Sequence, residues 1–313
     1  MKKWILLLIP VALIVSVYIL IPSKLIISKT IIAGCNINGA NRFLIDTSNW
    51  MKWWPNKNAA SNSKNDGSFT YNGCDYKVVK LLYNDVNLSI QCDNGLTANG
   101  DIRIVSLSKD SVLLGWECNI PTGFNPFKKI FHYQHAKDIE KNIDVILNSF
   151  KSFVEDSKNV YGVKFYQTMS KDSTLVTIST VTNIYPTTKE IYKLIDSLRT
   201  YIAIEKANEI NYPMLNVSKT SDSLFKTMAA ISVDKKLSGN DRIIPKRFVP
   251  WKMLEAEVTG GAYTVEKTFE KLYTYKNDNQ ISIMAIPFQL LVTDRSKEQD
   301  TTKWITRVTA PIP

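Results

Sequence analysis

The second half of this chain contains one pattern twice, and a duplication restricts what a sequence can fold into more than any single motif does. Leu175 to Ile202, LVTISTVTNIYPTTKEIYKLIDSLRTYI, alternates like a strand, turns, and then takes up helical spacing. Lys252 to Asn279, KMLEAEVTGGAYTVEKTFEKLYTYKNDN, reads the same way, with Val258-Thr259-Gly260 where the first copy has Val181-Thr182-Asn183. Each copy continues into a proline-led strand, YPMLNVSKTSD and IPFQLLVTDRSKE, and then into a second strand, LFKTMAAISV and KWITRVTAPI. The unit is strand-helix-strand-strand, with copies over about 172–237 and 246–313. One copy has a helix for only one face of a small sheet, so the other face needs cover. Pairing two copies joins the sheets and leaves a concave surface between them.

Within the second copy, alternation along VPWKMLEAEV puts Leu254, Ala256 and Val258 on one face and Trp251, Met253, Glu255 and Glu257 on the other. With the first set under the helix, the second faces the groove. Tyr263 opens the helix and Trp304 stands on the last strand, each at the groove edge or in the core. Gln289 is the one amide in the apolar run Ile286 to Val292. The segment TDRSKEQDTTKW is rich in charges and turn formers and reads as a surface hairpin loop.

The stretches FVPWKMLEAEVTGGAYTVEKTFEKL and AIPFQLLVTDRSKEQDTTKWITRVTAPI make this half similar to the GyrI-like small-molecule-binding domain, the effector-binding domain of some AraC-type and MerR-type transcription regulators. The resemblance implies a ligand in the groove between the two units, against aromatic side chains. It also implies a buried glutamate on the strand after the helix, contacting cationic ligands. The corresponding position carries Gln289, which puts cation selectivity in doubt and favours a neutral or polar ligand unless Glu255 supplies the carboxylate. The ligand-lining set expected on this basis is Trp251, Met253, Glu255, Tyr263, Phe288, Gln289 and Trp304.

The first half reads as strand, short helix, several strands and a long helix. KLIISKTIIAG alternates, NINGANRFLID supplies a helical turn or two, and YNGCDYKVV, CDNGLTANG and LSKDSVLLGWECNI carry hairpin signals. In HAKDIEKNIDVILNSFKSFVED, Ile139, Ile143, Ile146, Leu147, Phe150 and Phe153 recur at helical spacing. A sheet enclosing one long terminal helix, with the Trp-rich turn SNWMKWWPN, resembles the START-like (SRPBCC, polyketide cyclase-like) helix-grip family. That resemblance implies an apolar ligand in a cup, with Trp50, Trp53 and Trp54 as its wall or rim. The alternative is that the three rings plug the cup as core.

Before this half, Trp4 to Pro22 runs without a charge behind Lys2 and Lys3. That length predicts a transmembrane helix over 1–23, with the body on the extracytoplasmic side. IAGC, ending at Cys35, resembles a lipobox but is separated from the apolar run by Lys24 and Lys29. The expected architecture is α+β: an anchor over 1–23, a helix-grip domain over 24–157 and the duplicated domain over 158–313.

The net charge of +10 invites a nucleic-acid reading, but it is spread without a Lys/Arg run or a basic face interleaved with aromatics. Cys35, Cys74, Cys92 and Cys118 lack C-x-x-C spacing, so they are disulfides or buried thiols rather than a zinc cluster. His132 and His135, three apart, have no third histidine for a metal set. No cofactor motif and no nucleophile-base constellation stands out. The chain is therefore expected to be a membrane-anchored, non-enzymatic small-molecule binder. The alternatives are a hydrolase using Glu255 and Tyr263, or an apolar-ligand carrier using the cup.

Overall fold

The computed structural model describes residues 12, 14–55, 67–171, 173–221 and 223–313. It divides into two compact units, Met1–Val160 and Tyr161–Pro313.

In the first unit, β1 (Lys24–Ala33) is followed by α1 (Ile37–Ile45) and α2 (Trp50–Trp53). Five strands come next: β2 (Ser68–Tyr71), β3 (Cys74–Leu81), β4 (Asp85–Cys92), β5 (Thr97–Ser108) and β6 (Ser111–Pro121). They form one antiparallel sheet in the order β1-β6-β5-β4-β3-β2. The β2–β3 connection is an Asn72-Gly73 turn with both residues at positive φ (49° and 73°), the two-residue hairpin that matches strand twist. Just beyond that turn, Cys74 lies opposite Cys92 in the ladder, and the two form a disulfide. Cys35 and Cys118 are free, and burial pushes each thiol up to about 12.

The closing helix α3 (Pro126–Glu155) begins nine residues before the expected His135 and is capped by Asn125, whose side chain accepts from the Phe127 and Lys128 amides. Its first turns place Phe127, Ile130 and Phe131 at helical spacing, but Phe127 and Ile130 are exposed, whereas Ile139, Ile143, Ile146, Leu147 and Phe150 further along it are buried.

The expected single-pass anchor is corrected. Among the described residues no helix is long and apolar enough to cross a membrane, and the extracytoplasmic placement that depended on an anchor goes with it. Residues 1–11 and 13 of that segment lie outside the described residues. Where the chain is described, the helical stretch 14–20 is followed after three residues by β1. The Ile21 carbonyl accepts from Lys129 Nζ at 2.7 Å and the Pro22 carbonyl from Thr122 Oγ1 at 2.8 Å. The end of the apolar run is thereby hydrogen-bonded to α3 and to the residue that follows β6 rather than continuing as a helix.

The second unit has one sheet of eight strands. The first copy is β8 (Ser173–Thr182), α5 (Thr188–Ile204), β9 (Met214–Ser221) and β10 (Leu224–Val233); α4 (Ser157–Tyr161) and β7 (Tyr166–Met169) precede it. The second copy is β12 (Lys252–Thr259), α6 (Ala262–Asp278), β13 (Phe288–Leu291) and β14 (Ile305–Ile312), preceded by β11 (Ile244–Phe248). The strand order is β11-β8-β10-β9-β13-β14-β12-β7, so the two proline-led strands β9 and β13 meet at the centre. Each copy's leading strand lies at the far edge of the other copy: β7 pairs with β12 and β11 with β8. Such an exchange covers two outer strand edges that would otherwise offer unpaired backbone groups.

Thr187 and Glu190 close a reciprocal capping box at the start of α5, and Ile191, Ile195, Leu198 and Ile202 bury its inner face. At the equivalent strand-to-helix turn of the second copy, Gly260 has φ +140°, and a Cβ there would stand 2.5 Å from Thr264 Oγ1, so only glycine fits. The ladders also shift the sequence alignment of the copies by one residue. Thr227 lies opposite Thr180, and Thr306, in the same place in the second copy, lies opposite Val258. Val258 thus corresponds to Thr180, while Val181 faces away from α5 and is exposed.

Candidate ligand-binding site

Residues directly opposite one another in antiparallel strands share a face. The ladders therefore define one row across the second unit: Ile178, Ala229, Leu215, Gln289, Val308 and Ala256. Ile178, Ala229 and Leu215 pack in the core under α5, and Val308 and Ala256 in the core under α6. Both helices lie on this face, α5 over β8 and β10 and α6 over β12 and β14. The central strands β9 and β13 lie between them, and Gln289 is the polar member of the row at that place.

Gln289 is buried and has a charged neighbour from the segment whose composition predicts a surface loop. Arg295 lies past the end of β13, and its backbone N–H donates to Tyr192 Oη of α5 at 2.6 Å. Its side chain folds inward and is only 9% exposed. Nη2 donates to Thr306 Oγ1 at 2.7 Å and, at a long 3.4 Å, to Gln289 Oε1. The guanidinium carbon lies 4.8 Å from the ring centroid of Trp304. Trp304 is itself buried, its indole N–H donating to the Glu298 carbonyl at 2.8 Å. Burial lowers the Arg295 pKa, opposed by the Tyr192 and Tyr185 hydroxyls, and burial also raises both tyrosines. The Arg295 Nε–H has no hydrogen-bond partner among the described residues.

The expected lining set is divided between the two faces of the sheet. Gln289 and Trp304 come together on the helix side. Phe288 and Glu255 both lie opposite Thr309, one residue out of phase with the Gln289 row, and so they face the other side. There Glu255 is buried beside Tyr166, its ladder partner, and burial raises its pKa against a hydrogen bond from Thr168. Met253 shares this side and is also buried. Trp251 is half-buried at the sheet edge, where its N–H donates to Ser170 Oγ and its carbonyl accepts from the Ser170 N–H, each at 2.8 Å. Tyr263 is 70% exposed at the first turn of α6, with Lys267 over its ring.

Two expectations fail on this geometry. Leu254, Ala256 and Val258 do pack under α6, but the opposite set is separated from Gln289 by the thickness of the sheet. Glu255 therefore does not stand in for the carboxylate missing at Gln289, and it does not meet Tyr263 as the hydrolase reading requires. Arg295 is obscured by the polarity of its loop: β13 ends at Leu291 and Arg295 lies in a turn, where strand alternation assigns no face.

In the first unit, Trp50, Trp53 and Trp54 are brought together in the core. Trp50 and Trp54 stack at 5.5 Å, and Trp53 meets Phe150 of α3 edge-on at 4.8 Å. Their indole N–H groups donate to the carbonyls of Leu44, Phe43 and Thr70, so each ring buries its area without an orphaned donor. Of the two alternatives, the rings are core. The histidines stay local: His132 Nδ1 meets the Pro121 carbonyl at 2.8 Å, and His135 pairs with Asp138 at 3.2 Å. Among the described residues no group of His, Cys, Asp and Glu is arranged to hold a metal.

Among solved structures, the chain is similar to the EcmrR C-terminal domain, at 11% identity over 48% of this chain and 98% of that one, with a TM-score of 0.42. It is similar to SAV2435 bound to tetraphenylphosphonium at 14% identity, over 48% of this chain and 94% of that one, with a TM-score of 0.32. A START superfamily protein from Mycobacterium smegmatis matches at 17% identity, over 42% of this chain and 97% of that one, with a TM-score of 0.30. No family model and no curated protein matches the sequence.

Proposed function

We propose that this chain is a small-molecule-binding protein, and that its ligand sits on the helix side of the second unit, over β9 and β13 between α5 and α6. The observation that carries the reading is the buried cluster Gln289, Arg295, Trp304 and Thr306. It combines an aromatic wall, an amide, a hydroxyl and a cation with one N–H left without a partner. Groups buried without full pairing are costly to keep, and a few such groups converging on an aromatic wall are what a ligand site requires. The likeness of the duplicated sequence to GyrI-like domains supports the same location. The division of Glu255 and Tyr263 between different sides of the unit favours binding over hydrolysis, because an acid must reach the bond it protonates.

The test is a thermal-shift screen of the full chain against a chemically broad library. At least one compound is expected to raise the melting temperature in the wild type and to lose that effect in Trp304→Leu. A screen without any stabilising compound refutes the proposal.

A further inference from the structure

Arg295 sets a cation against Gln289, the position where the resemblance leads one to expect an acid facing a cationic ligand. Its partners are neutral: the Thr306 hydroxyl, the Gln289 amide oxygen and the Trp304 ring. No described carboxylate pairs with it. Asp294, the adjacent acid, is turned to Ser296 at 2.6 Å and to Lys297 at 3.6 Å. Glu266 of α6 contributes to the raised Tyr185 pKa and forms no ion pair with Arg295 among the described residues. The guanidinium is thus nine-tenths buried, uncompensated by an opposite charge, and has a free Nε–H.

A buried charge without a counterion is unfavourable, and one supplied by a ligand relieves that cost on binding. A guanidinium presents flat paired donors that fit a carboxylate. A single buried cation balances a monoanion, whereas a phosphate dianion would leave one negative charge uncompensated. Beside it stand the buried Trp304 and Tyr192 rings, and the Tyr185 ring near them is half-exposed.

We infer that the groove selects a small organic monoanion, an aromatic carboxylate, and that Arg295 is the residue that recognises its charge. The inference rests on the small-molecule reading above and gives that site its ligand class. The Gln289 side chain orients the guanidinium and takes no charge of its own.

The experiment is calorimetric titration of the full chain with 2-naphthoate, 2-naphthamide and 2-naphthamidinium, which share a body and differ in charge. The wild type is expected to bind the carboxylate in preference to the other two. In Arg295→Gln the carboxylate-to-amide affinity ratio is expected to fall about ten- to a hundredfold, the loss of a charged hydrogen bond. Gln289→Glu, which places an internal carboxylate against Arg295, is expected to remove the same preference while keeping the guanidinium. It decides the matter if the arginine variant does not fold.

A wild-type preference for the amidinium, or a ratio unchanged in both variants, overturns the anion inference. If none of the three binds while a neutral library compound does, the binding site stands and its anion selectivity falls. If no compound of any charge binds, both fall.

Discussion

Replacing Gln289 by glutamate adds a negative charge without changing side-chain length, 3.4 Å from the nearest guanidinium nitrogen of Arg295. With an effective dielectric constant of about 20, an ion pair at that distance is worth about 5 kcal/mol. Burying the new carboxylate costs several kcal/mol, but the guanidinium is already desolvated in the wild type and adds no further cost. The net expectation is a gain of about 1–2 kcal/mol at neutral pH, or about 2–8 °C in melting temperature. The sign with pH follows from the pairing. Arg295 depresses the new carboxyl's pKa in the folded state, so the gain is present above the unfolded carboxyl value and disappears as pH falls through the folded one. Urea unfolding of wild type and variant at pH 7 and at successively lower pH measures both. A variant no more stable than wild type at pH 7, or one whose advantage grows on acidification, refutes an unpaired buried cation at Arg295.

Three further outcomes follow from the same structure. Cys92→Ser removes a disulfide spanning 18 residues and is expected to cost about 3 kcal/mol of stability, read as a lower denaturation midpoint that matches reduced wild type; equal midpoints for oxidised and reduced wild type contradict the bridge. Burial raises the Glu255 pKa, so the folded state holds that proton more tightly than the unfolded chain, and this part of the stability declines as pH rises from the ordinary carboxyl value through the raised one. Glu255→Gln is expected to remove that decline in pH-dependent melting curves, and an unchanged profile rejects the assignment. Because their thiols are pushed up to about 12, Cys35 and Cys118 are expected to resist iodoacetamide at pH 8 in the folded protein and to react in urea; mass spectrometry showing rapid alkylation of the native chain contradicts this.

The duplication was legible because each copy repeats local signals, from strand alternation through a Thr- or Gly-opened helix to a proline-led strand, and local signals survive in sequence. The exchange of β7 and β11 between the copies was not legible, since edge pairing is a long-range choice that neither short strand encodes by itself. Gln289 could be identified as the odd residue of its strand. Its partner could not, because Arg295 sits in a segment whose aspartates, serines and lysines describe a surface loop correctly at every other position. Alternation separated Leu254, Ala256 and Val258 from Glu255 and Met253 correctly, but it could not say which set shares a face with Gln289. That depends on the register between β13, β14 and β12, in which Gln289 lies opposite Val308 and Glu255 opposite Thr309. Trp50, Trp53 and Trp54 left two alternatives open for a similar reason: composition reveals bulk but not whether the space beside it is filled.

The most direct test of the central claim is a crystal structure of the full chain soaked with 2-naphthoate or with any compound that stabilises it. Density is expected on the helix side, between α5 and α6, in contact with Trp304 and Arg295 and beside Gln289. Ligand density instead on the opposite face, against Glu255, Met253 and Phe288, or only within the first unit, contradicts it.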